Sequence, residues 1–340
     1  MKAVALTQYL PVTNPDSLMD VELSAPAVSG RDILVRVEAV SVNPVDTKVR
    51  APKEKIEPQP RVLGWDAAGT VVAVGDDVTL FSVGDEVFYA GDITRPGSNS
   101  EYQLVDERIV GHKPQSLSMA EAAALPLTSI TAWEGLFDRL KIDPDVTQDQ
   151  KSLLIIGGAG GVGSVAIQLA SQIAGLTVIA TASRENTQRW CYEMGADHTI
   201  NHRQDMAAQL AELGFPAVDY IFCLNDTAGH WATMTQVIKP QGMICSIVES
   251  DVPLDMEPLK SKSAGFIWEF MFTRSMYQTD DMAEQGNLLN QISKRMDADS
   301  LQTTLTEHLT PINAENLRKA HAMVEQGKMI GKVVLSDWEN

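Results

Sequence analysis

A glycine-rich loop constrains the fold of this chain more than any other feature of its sequence. Residues 157–163 read Gly-Gly-Ala-Gly-Gly-Val-Gly, so that Gly158, Gly160 and Gly163 satisfy the pattern G-x-G-x-x-G. An apolar run at 152–156 precedes the loop and a helical pattern at 163–174 follows it, which is the context that the motif requires. The three glycines would allow a tight turn, the approach of the backbone to a pyrophosphate, and close packing of helix on strand. The loop therefore predicts a dinucleotide-binding Rossmann domain.

The rest of the sequence divides into a β-rich part and an alternating part. Short apolar strands alternate with helical stretches after residue 151, which predicts a parallel, doubly wound sheet. The first third is rich in β-branched residues with turns between them, and two helical stretches and a strand are expected after residue 270. We predict an α/β protein in which residues 1–127 and 272–340 form a β-rich domain and residues 128–271 form the Rossmann domain. The strands predicted are 33–40, 69–74, 84–90, 152–156, 177–182, 198–201, 218–224, 243–248 and 332–335.

Composition narrows the choice of compartment and partner. The chain has 340 residues and a net charge of −18, which repels nucleic acids and anionic membranes at long range. Its cysteines, Cys191, Cys223 and Cys245, are few and far apart, as expected in a reducing compartment. We find neither a signal-peptide core nor a run of about 18 apolar residues that could cross a bilayer. The expectation is a cytoplasmic protein that binds a small molecule, with no nucleic acid or membrane partner.

The identity of the coenzyme depends on the residues that follow the second strand of the Rossmann domain. An NAD-type sequence places an acid there for the ribose 2′-hydroxyl, whereas this chain has Ser183 and Arg184. A serine hydroxyl and a planar guanidinium both suit a 2′-phosphate, so we predict NADP(H). Two alternatives remain open: Glu185 is the ribose acid, or Arg184 is only a solvated residue at a helix start. The loop residues Gly161 and Val162, together with the free amides of the helix that follows, are expected to bind the diphosphate.

Several motifs occur in the order typical of one known family. The chain resembles the medium-chain dehydrogenase/reductase superfamily, in particular its quinone-oxidoreductase-like members and a subfamily called zinc-type alcohol dehydrogenase-like. The resemblance implies a GroES-like substrate domain built from both ends of the chain, and a homodimer or homotetramer. The motifs that carry it are Ser-Val-Asn-Pro-Val-Asp at 41–46, Leu-Gly-Trp-Asp-Ala-Ala-Gly at 63–69, Val-Gly-Asp-Glu-Val at 83–87, the glycine loop, Glu-Met-Gly-Ala-Asp at 193–197 and Gly-Lys-Val-Val-Leu at 331–335.

The sequence departs from the zinc-dependent members of that superfamily at the metal ligands. Those relatives have a cysteine where this chain has Asn43, a histidine where it has Trp65, and a third ligand near Leu127. Trp65 and Leu127 cannot coordinate zinc, and an asparagine amide is a poor substitute for a thiolate. We therefore predict that the protein has no metal site. His198 and His202 are four residues apart on a predicted strand, where that spacing does not bring two side chains together.

The candidate catalytic residues lie near the lost metal ligands. Asn43 could donate an amide hydrogen bond to an oxyanion. Asp46 and Arg50 share one face of a predicted helix, either in the site or as a surface ion pair. Trp65 would form an aromatic wall or fill the core. The resemblance places Thr131 beside the nicotinamide.

Four further residues are expected to contact the coenzyme. The resemblance places His202 near the adenosine end. Asn225 and Ile247 follow predicted strands, where open α/β sheets bind their ligands. Lys332 is either a coenzyme contact or a solvated surface lysine. The aromatic residues Trp268, Phe270 and Phe272 could form a substrate lid or an oligomer contact.

These residues favour reduction of an acceptor that is already electrophilic. Without a Lewis acid, oxidation of a simple alcohol lacks its usual stabiliser, whereas a nicotinamide hydride can reduce an α,β-unsaturated carbonyl compound or a quinone. The predicted function is NADPH-dependent, zinc-independent reduction of such acceptors. The alternatives are a zinc-type alcohol dehydrogenase and a non-catalytic NADPH-binding protein. No general acid is evident from the sequence; Tyr89, Tyr102 and water are the candidates.

Overall fold

The computed structural model describes residues 1–144, 146 and 151–339. The chain folds into two compact units, one of Met1–Ile130 with Phe272–Asn340 and the other of Thr131–Met271. The boundaries lie within three residues of the predicted ones. We refer to these as the first and the second unit.

The described residues form sixteen strands and eleven α-helices. The strands are β1 (Lys2–Tyr9), β2 (Met19–Glu22), β3 (Asp32–Ser41), β4 (Lys53–Val62), β5 (Ala67–Val74), β6 (Glu86–Tyr89), β7 (Tyr102–Asp106), β8 (Val110–His112), β9 (Ser152–Ile156), β10 (Thr177–Thr181), β11 (His198–Ile200), β12 (Val218–Cys223), β13 (Ile238–Ser246), β14 (Gly265–Trp268), β15 (Leu305–Leu309) and β16 (Lys332–Ser336). The helices are α1 (Pro44–Arg50), α2 (Met119–Ala123), α3 (Pro126–Trp133), α4 (Gly161–Gln172), α5 (Glu185–Glu193), α6 (Met206–Glu212), α7 (Thr227–Val237), α8 (Glu257–Lys260), α9 (Thr273–Tyr277), α10 (Glu284–Asp297) and α11 (Ala314–Glu325). A π-helical segment, Glu134–Arg139, continues α3.

The first unit is built on two largely antiparallel sheets. The larger has the strand order β15-β16-β3-β5-β6-β8, with β7 also paired to β3, and the smaller has the order β2-β1-β4. Strand β3 lies between β5 and β16, with Val40 opposite Ala67 and Ser41 opposite Val334. This register brings the end of β3 close to the starts of β5 and β16, although the last of these is almost 300 residues away in the sequence.

Capping residues fix the helices that surround the larger sheet. The Ser118 hydroxyl accepts a hydrogen bond from the Glu121 amide, and the Glu121 carboxylate accepts one from the Ser118 amide. Helix α1 begins in a similar way, because the Asp46 carboxylate accepts a hydrogen bond from the backbone amide of Asn43. Strand β15 was not predicted; its exposed, polar sequence Leu-Thr-Glu-His-Leu lacks the apolar signal of a buried strand.

The second unit contains the predicted doubly wound sheet. Its six strands are all parallel and have the order β11-β10-β9-β12-β13-β14. Strands β10 and β11 are added on one side of β9, and β12, β13 and β14 on the other side. The central strand β9 is buried on both faces, as its unbroken apolar sequence indicates. The α/β prediction is confirmed. The boundaries of the five predicted strands agree to within two residues except for β13, which begins five residues earlier, and the edge strand β14 was not predicted. Among the described residues, no helix is long and apolar enough to cross a bilayer.

Candidate active site

Four buried polar residues meet where β3, β5 and β16 converge in the first unit. They are Asn43 and Asp46 at the start of α1, Asp66 just before β5, and Lys332 at the start of β16. All four side chains are almost inaccessible to solvent. We call this group the lysine cluster.

The carboxylate of Asp66 is the centre of the lysine cluster. One oxygen, Oδ1, accepts a hydrogen bond of 2.7 Å from the backbone amide of Leu127 in the first turn of α3. The other, Oδ2, accepts bonds of 2.8 Å from Asn43 Nδ2 and 3.0 Å from Lys332 Nζ. Such charge-assisted bonds compensate the cost of burying an ionised group.

Asn43 uses its whole amide group inside the protein. Its Nδ2 donates to Asp66 Oδ2 and, at 3.2 Å, to the carbonyl oxygen of Trp65, while its Oδ1 accepts from Lys332 Nζ. An amide nitrogen carries only two hydrogens, and both have acceptors here. The predicted role of Asn43 as a donor to a substrate oxyanion is therefore not supported, and the residue instead links Asp66 to α1.

Burial makes both acids of the lysine cluster weaker. It raises the pKa of Asp46 to about 7, although the hydrogen bond from the Asn43 amide and the positive charge of Lys332 act in the opposite direction. Burial also raises the pKa of Asp66, again opposed first by Lys332. Asp46 is thus a group that can hold or release a proton near neutrality. Tyr89 is also buried, and burial raises the pKa of its phenol.

Arg50 does not form the surface ion pair with Asp46 that one interpretation predicted, because both side chains are buried. Instead, the Arg50 guanidinium donates to Glu325 and, at 3.3 Å, to Nδ1 of His321, both on α11, and at 2.5 Å to the carbonyl oxygen of Leu10. Burial, followed by the charge of Arg50, lowers the pKa of His321 to about 3, so this histidine is neutral. Arg50 therefore ties α1 to α11.

The residues at the positions of the lost metal ligands do not fit zinc. Trp65 is buried, packs edge-on against Phe272 at 6.2 Å between ring centroids, and contributes to the lysine cluster only through its carbonyl oxygen. Leu127 contributes a backbone amide. The remaining members are an amide, two carboxylates and an ammonium group, and the ammonium would repel a divalent cation. Within the described part of the chain, no group of three His, Cys, Asp or Glu side chains is arranged to hold a metal ion.

The glycine loop of the second unit has the close packing that its motif requires. A Cβ atom at Gly163 would lie 2.4 Å from the carbonyl oxygen of Gly157, and one at Gly158 would lie 2.8 Å from Cβ of Ala180. At Gly160 the nearest atom would be 3.7 Å away, which is an ordinary contact. Gly158 and Gly163 are therefore needed for packing, whereas Gly160 leaves open space beside the start of α4 that could accept a ligand.

The residues from which NADP(H) was predicted directly follow strand β10. Strand β10 ends at Thr181, Ser183 and Arg184 follow, and Glu185 is the first residue of α5. Arg184 precedes the helix as its N-cap, and its backbone amide donates at 3.1 Å to the Thr187 hydroxyl. Ser183 and Arg184 are half-buried and Glu185 is exposed. The guanidinium and the hydroxyl thus stand at the carboxyl end of the strand, one residue ahead of the competing acid.

The other predicted coenzyme contacts in the second unit lie just after the carboxyl ends of further strands of the same sheet. His202 follows β11, Asn225 follows β12 and Ile247 follows β13. His202 is half-buried with its ring 6.4 Å from that of His230, and burial lowers its pKa. Thr131 is buried in α3. Their roles toward a coenzyme stay predictions.

Sequence reasoning missed a second buried acidic group, which lies in the second unit. Glu134 and Glu269 are buried, and Arg139 lies beside them, with its Nε 2.7 Å from Glu269 Oε2 and its Nη2 3.6 Å from Glu134 Oε2. Burial and the neighbouring Glu134 raise the pKa of Glu269 to about 9. We call these three residues the arginine cluster. Glu134 and Arg139 lie in the π-helical segment, and Glu269 directly follows the edge strand β14. No local pattern in the sequence indicates that these two segments meet.

The three late aromatic residues differ in how deeply they are buried. Phe272 is buried against Trp65 in the first unit. Trp268 and Phe270, at the end of the edge strand β14, remain 44% and 46% exposed, and Trp268 packs against Phe266 with ring centroids 4.8 Å apart. The exposure of Trp268 and Phe270 leaves both predicted roles, a substrate lid and an oligomer contact, as predictions.

Two protein-family models match parts of the chain. Residues 29–131 match the family model described as alcohol dehydrogenase GroES-like domain, and residues 194–335 match the one described as zinc-binding dehydrogenase. The predicted GroES-like domain is confirmed by the first of these matches.

Individual relatives extend the similarity over nearly the whole chain. A solved structure from Rhizobium etli CFN 42, named provisionally as a zinc-dependent alcohol dehydrogenase, is 53% identical, covers 100% of this chain and 99% of its own, and superimposes with a TM-score of 0.96. A zinc-type alcohol dehydrogenase-like protein of Staphylococcus aureus (strain MSSA476) is 48% identical over 316 residues, 93% of each chain. The chloroplastic NADPH-dependent alkenal/one oxidoreductase of Arabidopsis thaliana is 35% identical over 245 residues, which are 69% of this chain and 60% of that protein.

Proposed function

This chain belongs to the medium-chain dehydrogenase/reductase superfamily, and on that premise we propose that it transfers hydride from NADPH to an α,β-unsaturated carbonyl compound or a quinone without a metal ion. The observation that carries the proposal is the lysine cluster. Where zinc-dependent relatives have metal ligands, this protein has a closed network of hydrogen bonds around an ammonium group. The acceptor must therefore be electrophilic without help from a Lewis acid.

The second unit has the features that a nicotinamide dinucleotide needs. The backbone around Gly160, Gly161 and Val162 begins α4 beside open space, and a helix start of this kind suits a diphosphate. Ser183 and Arg184 would hold a 2′-phosphate. When bound, the coenzyme supplies the hydride, and the protein orients it and excludes competing reactions. The NADPH-dependent relative from Arabidopsis supports this choice over NAD.

Zinc does not fit the donor set of this chain, although the names of one matching family model and of two similar proteins mention it. Zinc in proteins is bound by thiolate, imidazole or carboxylate groups in a tetrahedral arrangement. Here Asp66 is already saturated by three donors, one of them a cation. No step of the reaction is therefore assigned to a metal.

The proposed substrate class follows from hydride transfer without a metal ion. Hydride addition to a conjugated carbonyl compound produces an enolate, and to a quinone a quinol anion, and each needs a proton and a stabilised oxygen. Asp46 can hold a proton near neutrality because burial raises its pKa to about 7. An enal- and enone-reducing relative is consistent with this class.

We also propose that the protein works as a homodimer in the cytoplasm. The exposed Trp268 and Phe270 at the edge strand β14 support a contact between copies, since large apolar groups at an unpaired strand edge favour association. The three buried cysteine thiols are free, which is consistent with a reducing compartment.

The test is a panel of enals, enones and quinones with NADPH and NADH, and of simple alcohols with NADP⁺ and NAD⁺, followed by absorbance of the reduced nicotinamide. We expect turnover of conjugated acceptors with NADPH, and no alcohol oxidation. The variant Arg184→Glu should reverse the coenzyme preference toward NADH by roughly tenfold or more, because a carboxylate repels the 2′-phosphate. Gly160→Ala should retain its fold and lose coenzyme affinity.

Three outcomes would contradict the proposal. Stoichiometric zinc with activity lost on chelation would establish the zinc-type alcohol dehydrogenase. Tight NADPH binding without consumption of any acceptor would establish a non-catalytic binding protein. Equal use of NADH and NADPH, unchanged by Arg184→Glu, would remove the role assigned to Arg184.

A further inference from the structure

The ammonium group of Lys332 is fully committed inside the first unit. Nζ donates to the carbonyl oxygen of Val42 at 3.2 Å, to Asp66 Oδ2 at 3.0 Å and to Asn43 Oδ1. An ammonium group has three hydrogens, and here there are three acceptors. Only 4% of the residue is exposed. This geometry does not match the prediction that Lys332 contacts the coenzyme, nor the alternative of a solvated surface lysine.

Lys332 acts on its surroundings through Asp66. The Asp66 carboxylate holds the N-cap of α1 through Asn43 and the first turn of α3 through the amide of Leu127. Its backbone carbonyl accepts a further bond of 3.3 Å from the Ser98 hydroxyl. The carboxylate itself connects α1, α3 and, through Lys332, strand β16. It can do so fully only while ionised, because a protonated oxygen is a weaker acceptor.

The balance of charge in the cluster depends on Lys332. Asp46 and Asp66 are both buried, and Lys332 is the positive charge that favours the ionised form of each. A buried carboxylate that loses its cationic partner is left uncompensated, which is much more costly than the absence of the whole pair.

We propose that Lys332 is a positioning residue and not a coenzyme ligand: its ammonium group is a built-in counter-cation that keeps Asp66 charged, so that Asp66 holds Asn43 and the start of α3 in place. The structural part of this inference is independent of the reaction, and only its consequence for catalysis rests on the proposed function. The protein therefore carries a fixed organic cation in a site whose family model is named for zinc binding.

The experiment compares Lys332→Met, Asp66→Asn and the double variant with the wild type. Methionine keeps the length of the lysine chain and removes its charge, and asparagine keeps the shape of the aspartate. We expect each single substitution to lower the Tm by roughly 5 °C or more. The double variant should lose clearly less than the sum of the two single losses, because neither charge is then left unpaired.

Coenzyme affinity separates the proposal from the role that the sequence predicted. Titration of NADPH by nicotinamide fluorescence should give Kd values for Lys332→Met and wild type that agree within about threefold. Arg184→Ala serves as the positive control and should weaken NADPH roughly tenfold or more while the Tm stays near that of the wild type. If turnover is measurable, Lys332→Met should lower kcat and leave KM for NADPH nearly unchanged.

Two results would overturn the proposal. One is a Kd for NADPH that rises tenfold or more in Lys332→Met, as a coenzyme ligand would require. The other is additive losses of Tm in the double variant, as two unrelated packing defects would give. If Lys332→Met does not fold, recovery of folded protein in the double variant supports the proposal and its absence contradicts it. Absence of turnover in the wild type would disprove the proposed function and leave the Tm comparison valid.

Discussion

Each of the two units buries two carboxyl groups beside one cation, and the two groups behave differently. In the lysine cluster, the carboxylates of Asp46 and Asp66 each accept a hydrogen bond from a backbone amide, and the cation is buried with them. In the arginine cluster, Glu134 and Glu269 lie next to each other and Arg139 is 24% exposed. Each cluster has two acids and one cationic side chain. Backbone hydrogen bonds lower the pKa of Asp46 and Asp66, whereas the neighbour of Glu269 is another acid, Glu134, which raises its pKa.

This difference indicates how a protein can keep a buried carboxylate ionised. Asp66 has a backbone amide, a side-chain amide and an ammonium group around its two oxygens. The pKa of Glu269 rises to about 9, so that Glu269 is protonated at neutral pH beside Glu134. Lys332 and the two amides thus favour the charged form of Asp66, whereas burial beside Glu134 favours the protonated form of Glu269.

The largest expected effect is on stability when one carboxyl group in each cluster is made neutral. Asp66→Asn leaves Lys332 buried without its close partner and should lower the free energy of unfolding by about 3–5 kcal/mol. Glu269→Gln replaces an acid that is already neutral and should change that free energy by less than about 1 kcal/mol. Urea unfolding at pH 7 measures both. Similar losses in the two variants would mean that the clusters do not differ in charge state.

The next effect is a difference in pH dependence. A carboxyl group whose pKa is raised by folding binds a proton that the unfolded chain has released, so stability falls as pH rises toward the folded-state pKa. For Glu269 this fall extends from about 4.5 to about 9, and for Asp46 it extends from about 3.8 to about 7. Between pH 7 and pH 9 the wild type should therefore lose roughly 2 kcal/mol more than Glu269→Gln.

Asp46→Asn is the matched control for that measurement. It should flatten the pH dependence below pH 7 and leave the interval from pH 7 to pH 9 as in the wild type. If Glu269→Gln and the wild type have parallel curves up to pH 9, Glu269 is ionised at neutrality and the contrast between the clusters is lost.

The sequence predicted more of the second unit than of the site in the first. The glycine loop and the alternating strands are local patterns, and a regular parallel sheet follows from them. Asn43 and Trp65, which the resemblance placed at the positions of zinc ligands, lie in or beside the lysine cluster. The contact between Asp66 and Lys332 was not predicted, because 266 residues separate them and only the register of β3 with β5 and β16 brings them together.

The same reason explains the errors at single residues. Arg50 lies four residues after Asp46, which indicated a local pair, but its partners are on α11, 271 and 275 residues away. Helical spacing predicts which side chains share a face, and it does not predict what the rest of the fold places against that face. Asn43 was assigned a free donor because the residues that use its amide group, Asp66 and Lys332, lie 23 and 289 residues away and only the fold brings them to it.

The smallest expected effect concerns an ion pair that is shorter than the one between Lys332 and Asp66. Lys319 Nζ lies 2.7 Å from Glu315 Oε1 on α11, where the Glu315 side chain is 69% exposed. Glu315→Gln should leave the Tm within about 1 °C of the wild type, because water and salt screen an exposed pair that is one helical turn apart. Thermal unfolding in low and in high salt measures this, and the wild type and the variant should respond alike. A drop in Tm comparable to that of Asp66→Asn would show that distance alone, and not burial with complete hydrogen bonding, determines how much a pair contributes in this protein.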